Sequence, residues 1–467
     1  MLVPTTILDW IGAYRYTNML SNPQAHERNL WGNFFQAFVA RPATLVGNLE
    51  VAEAIRYEVT AMRAVGQAIS AARASWRSGK VNERFFETSQ QWRDQFEQER
   101  MRQGADGNLI YRRLLDIGRA LEAQDVFFAT MIKAGEERRL VANGVAVEKA
   151  TKQAAEFAEE MLFRQPLGKQ MSDKNKALAV RALDGAGKFM QDLRKVPLIG
   201  PVASWFFPFI RTPINIGKKM VEYSPLGYVT QKGGKLSKED IGRANVGSMV
   251  VFIGATLAAM GRTTTRAPRD EESRKQWYAA GMRPWSIIIG NKVVPMLYFG
   301  PFAAALAIPA AVRDVIMDDP TSVNAKEVEQ LAKISQQLTQ FYTSQTPLKS
   351  AGTFLDIANG RTDFTTQSAL AFTGGQAVYL SGFMRWANGL MIDPVYRRGG
   401  DFLESLQKDL PLASLWTKPH LTPEGTPARR DPLSMLLPYA IGTVEHRHLF
   451  VQQQRAGLLK EKDKINC

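Results

Sequence analysis

The chain has 467 residues, of which 45% are hydrophobic, and it carries a formal net charge of +14 at pH 7. This hydrophobic content is enough to build a packed core over two or three domains, which argues against a disordered chain. The single cysteine, Cys467, excludes an intrachain disulfide framework and a cysteine-based metal cage.

The N-terminal segment lacks the pattern of a secretory signal peptide. Residues 1–18 carry Asp9 early, have no basic start and contain no long apolar stretch. We therefore do not expect conventional secretion.

The first 195 residues predict a bundle of long helices. Within residues 50–77, apolar side chains recur every three or four positions, as on one face of an amphipathic helix. These side chains are Val51, Ile55, Val59, Met62, Val65, Ile69 and Ala72. Similar spacing predicts helices over residues 81–103, 109–141, 145–162 and 173–194, the last with Ser172 as its N-cap. Such lengths favour an elongated multi-helix bundle, which we expect to carry oligomerisation.

Residues 196–316 form a module that is both apolar and basic. Residues 164–292 hold 22 Lys and Arg against 9 Asp and Glu, or +13 of the total charge of +14. Residues 196–210 are uncharged, but three prolines prevent one straight helix. A capping box at Ser237 predicts a helix to about Met260. Its uncharged part has Ala255 and Ala259 as a small-residue pair, and it is shorter than the roughly 20 residues that a membrane span needs.

A β-hairpin follows this helix. β-branched residues flank the turn at Gly290 and Asn291, which predicts two strands within residues 285–294. The next uncharged stretch, residues 294–312, contains three prolines, so a buried core helix under the hairpin is favoured over a membrane span. Residues 317–467 are predicted to be helical and rich in loops. The predicted fold class is therefore mainly α, with one small β-hairpin in the C-terminal half.

The basic stretch allows three interpretations. It is an ordinary solvated surface, a membrane-contact surface or a DNA-contact surface. The aromatic and basic residues typical of a membrane interface are Trp205, Phe206, Phe207, Phe209, Arg211, Lys218 and Lys219. The candidates for non-specific contact with double-stranded DNA are Lys232, Lys235, Arg262, Arg266 and Arg269.

No motif points to catalysis. The pair His446 and His448 lacks further ligands for a metal, and the pair Ser405 and Lys408 lacks the companion motifs of a Ser-x-x-Lys enzyme. We therefore expect a non-enzymatic protein without a metal site or cofactor.

Several short segments resemble a known family. They are LDW (8–10), YRYTNMLS (14–21), RN (28–29), GN (32–33), PFIRTP (208–213), SPLG (224–227), AGMRPWSI (280–287) and Pro301. Together they resemble the large polyvalent protein-associated domain of internal virion proteins of short-tailed phages and related mobile elements, over residues 5–440. Members are usually far longer and carry attached enzymatic regions, so we expect this chain to be one subunit of an ejection apparatus or a piece of a polyprotein.

The resemblance implies a DNA-ejection protein of the virion interior that passes into the host cell envelope on infection. The implied partners are other virion proteins of the portal or inner core, non-specific double-stranded DNA, an anionic host membrane and further copies of the chain. The alternative is a DNA-associated structural protein of a mobile element. A polytopic membrane protein is disfavoured by the mean hydropathy of -0.21.

Overall fold

Helices make up most of the regular structure, which confirms the predicted mainly α fold with one small hairpin. The computed structural model describes residues 14, 17–18, 20–78, 109–193, 196, 210–230, 233–267, 277, 282–290, 292–318, 334, 336–338, 341, 380–397, 402–408, 410–419, 421, 426–427, 429–430, 435 and 440–441. The helices are α1 (Pro23–Phe35), α2 (Arg41–Gly47), α3 (Val51–Arg63), α4 (Val65–Ser78), α5 (Leu109–Ala142), α6 (Val147–Met161), α7 (Leu178–Leu193), α8 (Arg211–Glu222), α9 (Lys238–Ala259), α10 (Ala303–Asp318), α11 (Ser381–Met391) and α12 (Phe402–Gln407). A π-helical turn, Gln36–Ala40, joins α1 to α2.

The long helix α5 organises the N-terminal half. It confirms the helix predicted over residues 109–141, and α3, α4 and α6 pack along it. The contacting faces of these three helices are rich in alanine, which lets helix axes approach closely. Those alanines are Ala54, Ala61, Ala68, Ala150, Ala154 and Ala158, all buried. On α5 itself, Phe128, Met131 and Ile132 fill the space between them.

The helix predicted over residues 50–77 forms as two segments, α3 and α4, with one non-helical residue, Ala64, between them. Hydrogen bonds continue across the break, because the Ala64 amide donates to Thr60 at 3.1 Å and the Ala68 amide donates to Ala64 at 2.8 Å. The face that packs on α5 is the alanine face with Tyr57. Most of the large apolar side chains that carried the prediction lie off this face and are exposed, whereas Val65 packs beside Met131.

The predicted N-cap at Ser172 is wrong, because α7 begins at Leu178. Asp173 instead accepts a hydrogen bond from the Asn175 amide at 2.9 Å and closes a turn. The helix predicted over residues 145–162 is confirmed as α6 and ends before Phe163, which has a positive φ. The helix predicted over residues 81–103 lies outside the described residues.

Helix α9 crosses the middle of the described core and packs on α2, α8 and α10. Its predicted N-cap is confirmed, since the Ser237 hydroxyl accepts from the Asp240 amide at 3.1 Å. Close approach to α8 depends on Gly247, where a Cβ would overlap the backbone of Tyr223 and Ser224.

Substitution of Gly247 by alanine is therefore expected to destabilise the protein by roughly 2 kcal/mol or more, because two backbones must move apart. Gly32→Ala in α1 is the matched control, since its Cβ would meet nothing within 4 Å. That control is expected to stabilise by up to about 1 kcal/mol through helix propensity. Urea unfolding measures both, and equal stability of the two variants would contradict the close approach.

The predicted hairpin is confirmed as β1 (Ser286–Ile289) and β2 (Lys292–Pro295), paired antiparallel with Ile288 opposite Val293. Gly290 has a φ of 59°, as its two-residue turn requires. A short third strand, β3 (Ala440–Ile441), pairs with β2 and had no counterpart in the sequence prediction.

The uncharged stretch after the hairpin is buried, as predicted. It forms a 3-10 segment, Met296–Phe302, followed by α10. Side chains of the hairpin and of this stretch share one cluster. The buried members include Trp285, Ile287, Met296, Ala303, Leu306 and Ala307.

Packing in the described residues does not stop at the predicted division between residues 195 and 196. Helix α8 packs on α7, and α9 packs on α2. Between α2 and α8, Thr44 and Tyr223 share a hydrogen bond of 2.7 Å. The module predicted over residues 196–316 is therefore joined to the N-terminal helices by a continuous core.

Candidate functional site

Helix α9 has two unlike faces. The buried face is built mainly of small residues, which allow the neighbouring helices to approach. Its buried residues are Asp240, Gly242, Arg243, Ala244, Gly247, Gly254 and Ala258. The opposite face carries large apolar side chains that are exposed by 69% at Met249, 74% at Phe252, 47% at Ile253 and 61% at Met260. Ala255 and Ala259 lie on the same outer side and are also exposed.

Two helical segments are long and apolar enough to cross a membrane by length and composition, namely α9 and Met296–Ile316. They differ in burial. In the most apolar 18 residues of each segment, 56% are buried in Met296–Ile316 and only 33% in α9. The part of α9 free of charged residues begins at Ala244 and is about 24 Å long at 1.5 Å per residue. A bilayer core is about 30 Å thick, so α9 in this packing suits an interfacial position better than a span.

Cationic residues lie at both ends of this apolar face. Lys235 and Lys238 are exposed before the uncharged part, and Arg262 is exposed directly after it. The two acidic residues of the first turn are both paired with cations, Glu239 with the buried Arg41 and Asp240 with the half-buried Lys176. The outward charge around the helix is therefore positive, which suits an anionic lipid surface.

Beneath α9 lies a buried ion network centred on Arg243. The Arg243 side chain is 1% exposed and reaches three carboxylates, Glu222 at 2.8 Å, Glu160 at 2.9 Å and Glu239 at 3.1 Å. Lys219 bridges Glu160 and Glu222, at 2.8 Å from the latter. These contacts join α6, α8 and α9.

A second arginine extends the network to α2 and α5. Arg41 is 1% exposed and contacts Glu239 at 2.6 Å and Glu136 at 2.8 Å. On the other side Lys176 contacts Asp240 at 2.7 Å. Glu136, Glu160, Glu222, Glu239 and Asp240 thus face Arg41, Arg139, Lys176, Lys219 and Arg243, so the cluster balances in charge. Balanced pairing is what makes buried charges tolerable.

The cations control the ionisation of the buried carboxylates. Burial alone would raise the pKa of Glu222, but the charges of Lys219 and Arg243 outweigh it and hold this pKa at about 2. The same balance, with Lys219 and Arg243 beside Glu160 and with Arg41 and Arg243 beside Glu239, lowers the pKa of both carboxyls. All three groups are therefore charged at neutral pH.

The membrane-contact residues predicted from the sequence are only partly described. Trp205, Phe206, Phe207 and Phe209 lie outside the described residues. Arg211 is half-buried at the start of α8.

Lys218 and Lys219 are a correction to the membrane-contact prediction. They are 3% and 4% exposed, and the Lys218 ammonium contacts the buried Asp184 carboxylate at 2.8 Å. Because both ammonium groups are paired inside the protein, neither reaches a membrane in this conformation.

The predicted DNA-contact residues are divided in the same way. Lys232 and Arg269 lie outside the described residues, whereas Lys235 and Arg262 are exposed at opposite ends of α9. Arg266 is half-buried, with its Nε 3.9 Å from an Asp314 oxygen.

The outer face of α9 was missed as a site, although the sequence holds a signal for it. Small residues recur on one side of the helix and large apolar residues on the other, and helix packing selects the small side for close contact. The sequence identifies the uncharged part of the helix, but the prediction did not distinguish its small-residue face from its large apolar face.

The chain matches no protein-family model, no curated protein and no solved structure. The resemblance to the phage protein family therefore stays a prediction. Within the part of the chain that the structure describes, no group of three His, Cys, Asp or Glu side chains is placed to hold a metal ion.

Proposed function

We propose that this protein is a non-enzymatic internal virion protein of a phage, which helps DNA to cross the host envelope. The observation that carries the proposal is the outer face of α9, an exposed apolar surface with cations at both ends. A helix of this kind binds a lipid surface by burying its apolar face at the headgroup boundary, while the cations attract anionic lipids.

The geometry favours contact in two stages. In the packed state α9 is anchored by the ion network and lies flat on the membrane with Phe252 and Met249 inserted. A later insertion of residues 196–316 requires Arg243 and Glu239 to leave their partners, because charged groups are expensive in the hydrocarbon core. The network thus separates a membrane-bound state from an inserted state.

Contact with DNA is proposed to be weak and independent of sequence. Lys235 and Arg262 are exposed cations that could meet phosphates, and such contacts carry no base information. A guide for a moving genome needs this weakness, since tight binding would hold the DNA. We further propose assembly with portal or inner-core proteins and with other copies of the chain.

Membrane contact through α9 is tested by the double variant Met249→Asp/Phe252→Asp. The protein is expected to sediment with anionic liposomes, more at low than at high salt, and to release trapped dye. The double variant is expected to bind at least tenfold more weakly, because each lost side chain contributes about 1.5 to 3 kcal/mol on burial.

Phe189→Asp is the matched control for this test, because Phe189 is a comparably exposed aromatic residue, at 67%, on α7. It is expected to bind liposomes like the unaltered protein. Equal binding by the double variant would overturn the role of α9. A protein that ignores liposomes but binds DNA in a salt-dependent manner would favour the alternative, a DNA-associated structural protein of a mobile element.

A further inference from the structure

A second exposed apolar surface runs along α3 and α4. Ile55, Met62, Ile69 and Trp76 follow one another at intervals of seven residues. Their exposed fractions are 59%, 57%, 40% and 40%, so the row is continuous along both helices. Single exposed apolar residues are ordinary, but a row in register is not.

A parallel row completes a heptad pattern. Val51, Glu58, Val65 and Ala72 also recur every seven residues, each four positions before a member of the first row. Two such rows form the a and d positions of a coiled coil, and here they persist over four heptads. We call these eight residues the α3–α4 seam. At 1.5 Å per residue it is about 38 Å long from Val51 to Trp76.

Another side of α3 and α4 is covered by α5. Ala54, Tyr57, Ala61 and Ala68 are buried at 4% exposure or less and face α5. The helices are therefore fixed by α5, which also touches the edge of the α3–α4 seam. The Arg119 guanidinium of α5 lies 4.5 Å from the centre of the Trp76 ring, and Val65 packs beside Met131. Val51, Ile55, Met62 and Ile69 remain at least 40% exposed.

The charges along the two helices indicate the partner. Helix α3 is balanced, with Glu53 and Glu58 against Arg56 and Arg63, whereas α4 carries Arg73 and Arg77 and no acidic residue. Two copies aligned parallel would place Arg73 beside Arg73. Two copies aligned antiparallel place the basic half of each beside the neutral half of the other, where Glu58 is available to Arg73, and this is the favourable arrangement.

We propose that the α3–α4 seam pairs with the same seam of a second copy of this chain, in antiparallel register. One register matches every a position with a d position. It places Ile55 of one copy beside Ala72 of the other, Met62 beside Val65, Ile69 beside Glu58 and Trp76 beside Val51. Glu58 is then within reach of Arg73 of the other copy, and a single polar residue in a seam fixes register.

This inference deepens the self-association part of the proposed function and does not depend on membrane contact. Analytical ultracentrifugation is expected to show a concentration-dependent dimer. Met62→Glu/Ile69→Glu should raise the dissociation constant at least roughly a hundredfold, because four acidic groups enter the centre of the interface. Phe189→Glu, outside the seam, should dimerise like the unaltered protein. A monomeric protein, or a double variant that dimerises normally, would overturn the proposal.

The register has its own test in a Cys467→Ser background. Ile55→Cys/Ala72→Cys should form disulfide-linked dimers on mild oxidation, because these positions meet only between antiparallel copies. Ile69→Cys alone should remain uncrosslinked, and its efficient crosslinking would show parallel pairing and overturn the antiparallel register. Liposome binding by Met62→Glu/Ile69→Glu separates the two proposals, since a monomer that still binds liposomes leaves the α9 proposal intact. A protein that dimerises but does not bind liposomes leaves the proposal for the α3–α4 seam intact.

Discussion

Replacing Arg243 with methionine is expected to lower the free energy of unfolding by about 3 to 5 kcal/mol at pH 7. The Arg243 guanidinium is 1% exposed and contacts Glu160, Glu222 and Glu239 within 3.1 Å. Methionine preserves much of the volume but removes the positive charge, so the buried Glu222 and the partly buried Glu160 and Glu239 are left with too few cations. Urea unfolding with a constant m-value would identify the loss as one of stability.

Arg262→Met is the matched control, because Arg262 is exposed at the end of α9 and is expected to change stability by no more than about 0.5 kcal/mol. The free energy of unfolding of Arg243→Lys should lie between those of Arg243→Met and Arg262→Met, since one ammonium group replaces only part of the guanidinium geometry. Normal stability of Arg243→Met would mean that α9 is held by apolar packing alone and that the ion network contributes little.

Acid is expected to unfold the protein through the same network. The pKa of Glu222 is held at about 2, and those of Glu160 and Glu239 are lowered from 4.5 by the buried cations. A carboxyl with a depressed folded-state pKa stabilises the fold above its unfolded pKa, and this stabilisation is lost as pH falls toward the folded pKa. Stability from these groups should thus be constant from pH 7 to about 5 and decline between about 4.5 and 2. Glu222 alone corresponds to about 3 kcal/mol.

The measurement is the free energy of urea unfolding at a series of pH values from 7 to 3. Glu222→Gln is expected to start from a lower value at pH 7 and to fall less steeply, because one titrating carboxyl is gone while Lys219 and Arg243 lose a partner. A profile for the unaltered protein that stays flat down to pH 3 would contradict the assigned direction of the pKa shifts.

The two surfaces of interest have a common cause. On α9 and on the helix pair α3 and α4, mainly small residues pack against neighbouring helices while most large apolar residues remain outside. Buried alanine and glycine allow two helices to approach closely, whereas large side chains at the same positions would hold them apart. The large side chains thus remain exposed, and we propose that they bind lipid at α9 and a second copy at the α3–α4 seam.

The sequence by itself determined the local structure. Helical periodicity predicted α5 and α6, the capping box at Ser237 predicted α9 and its start, and the turn at Gly290 predicted the hairpin, because each depends on residues close together in the chain. The buried stretch after the hairpin was also predictable, since its prolines disfavour a membrane span.

Only the tertiary structure decided which helix faces are buried and which charges are paired. Periodicity identifies an apolar face but does not reveal that an alanine face offers closer packing to α5. Lys219 was predicted to contact a membrane, yet its partner Glu160 lies 59 residues away in the chain. Arg41 meets Glu239 across 198 residues. Such pairs form because the fold removes both charges from water together, and local sequence holds no trace of a partner so distant.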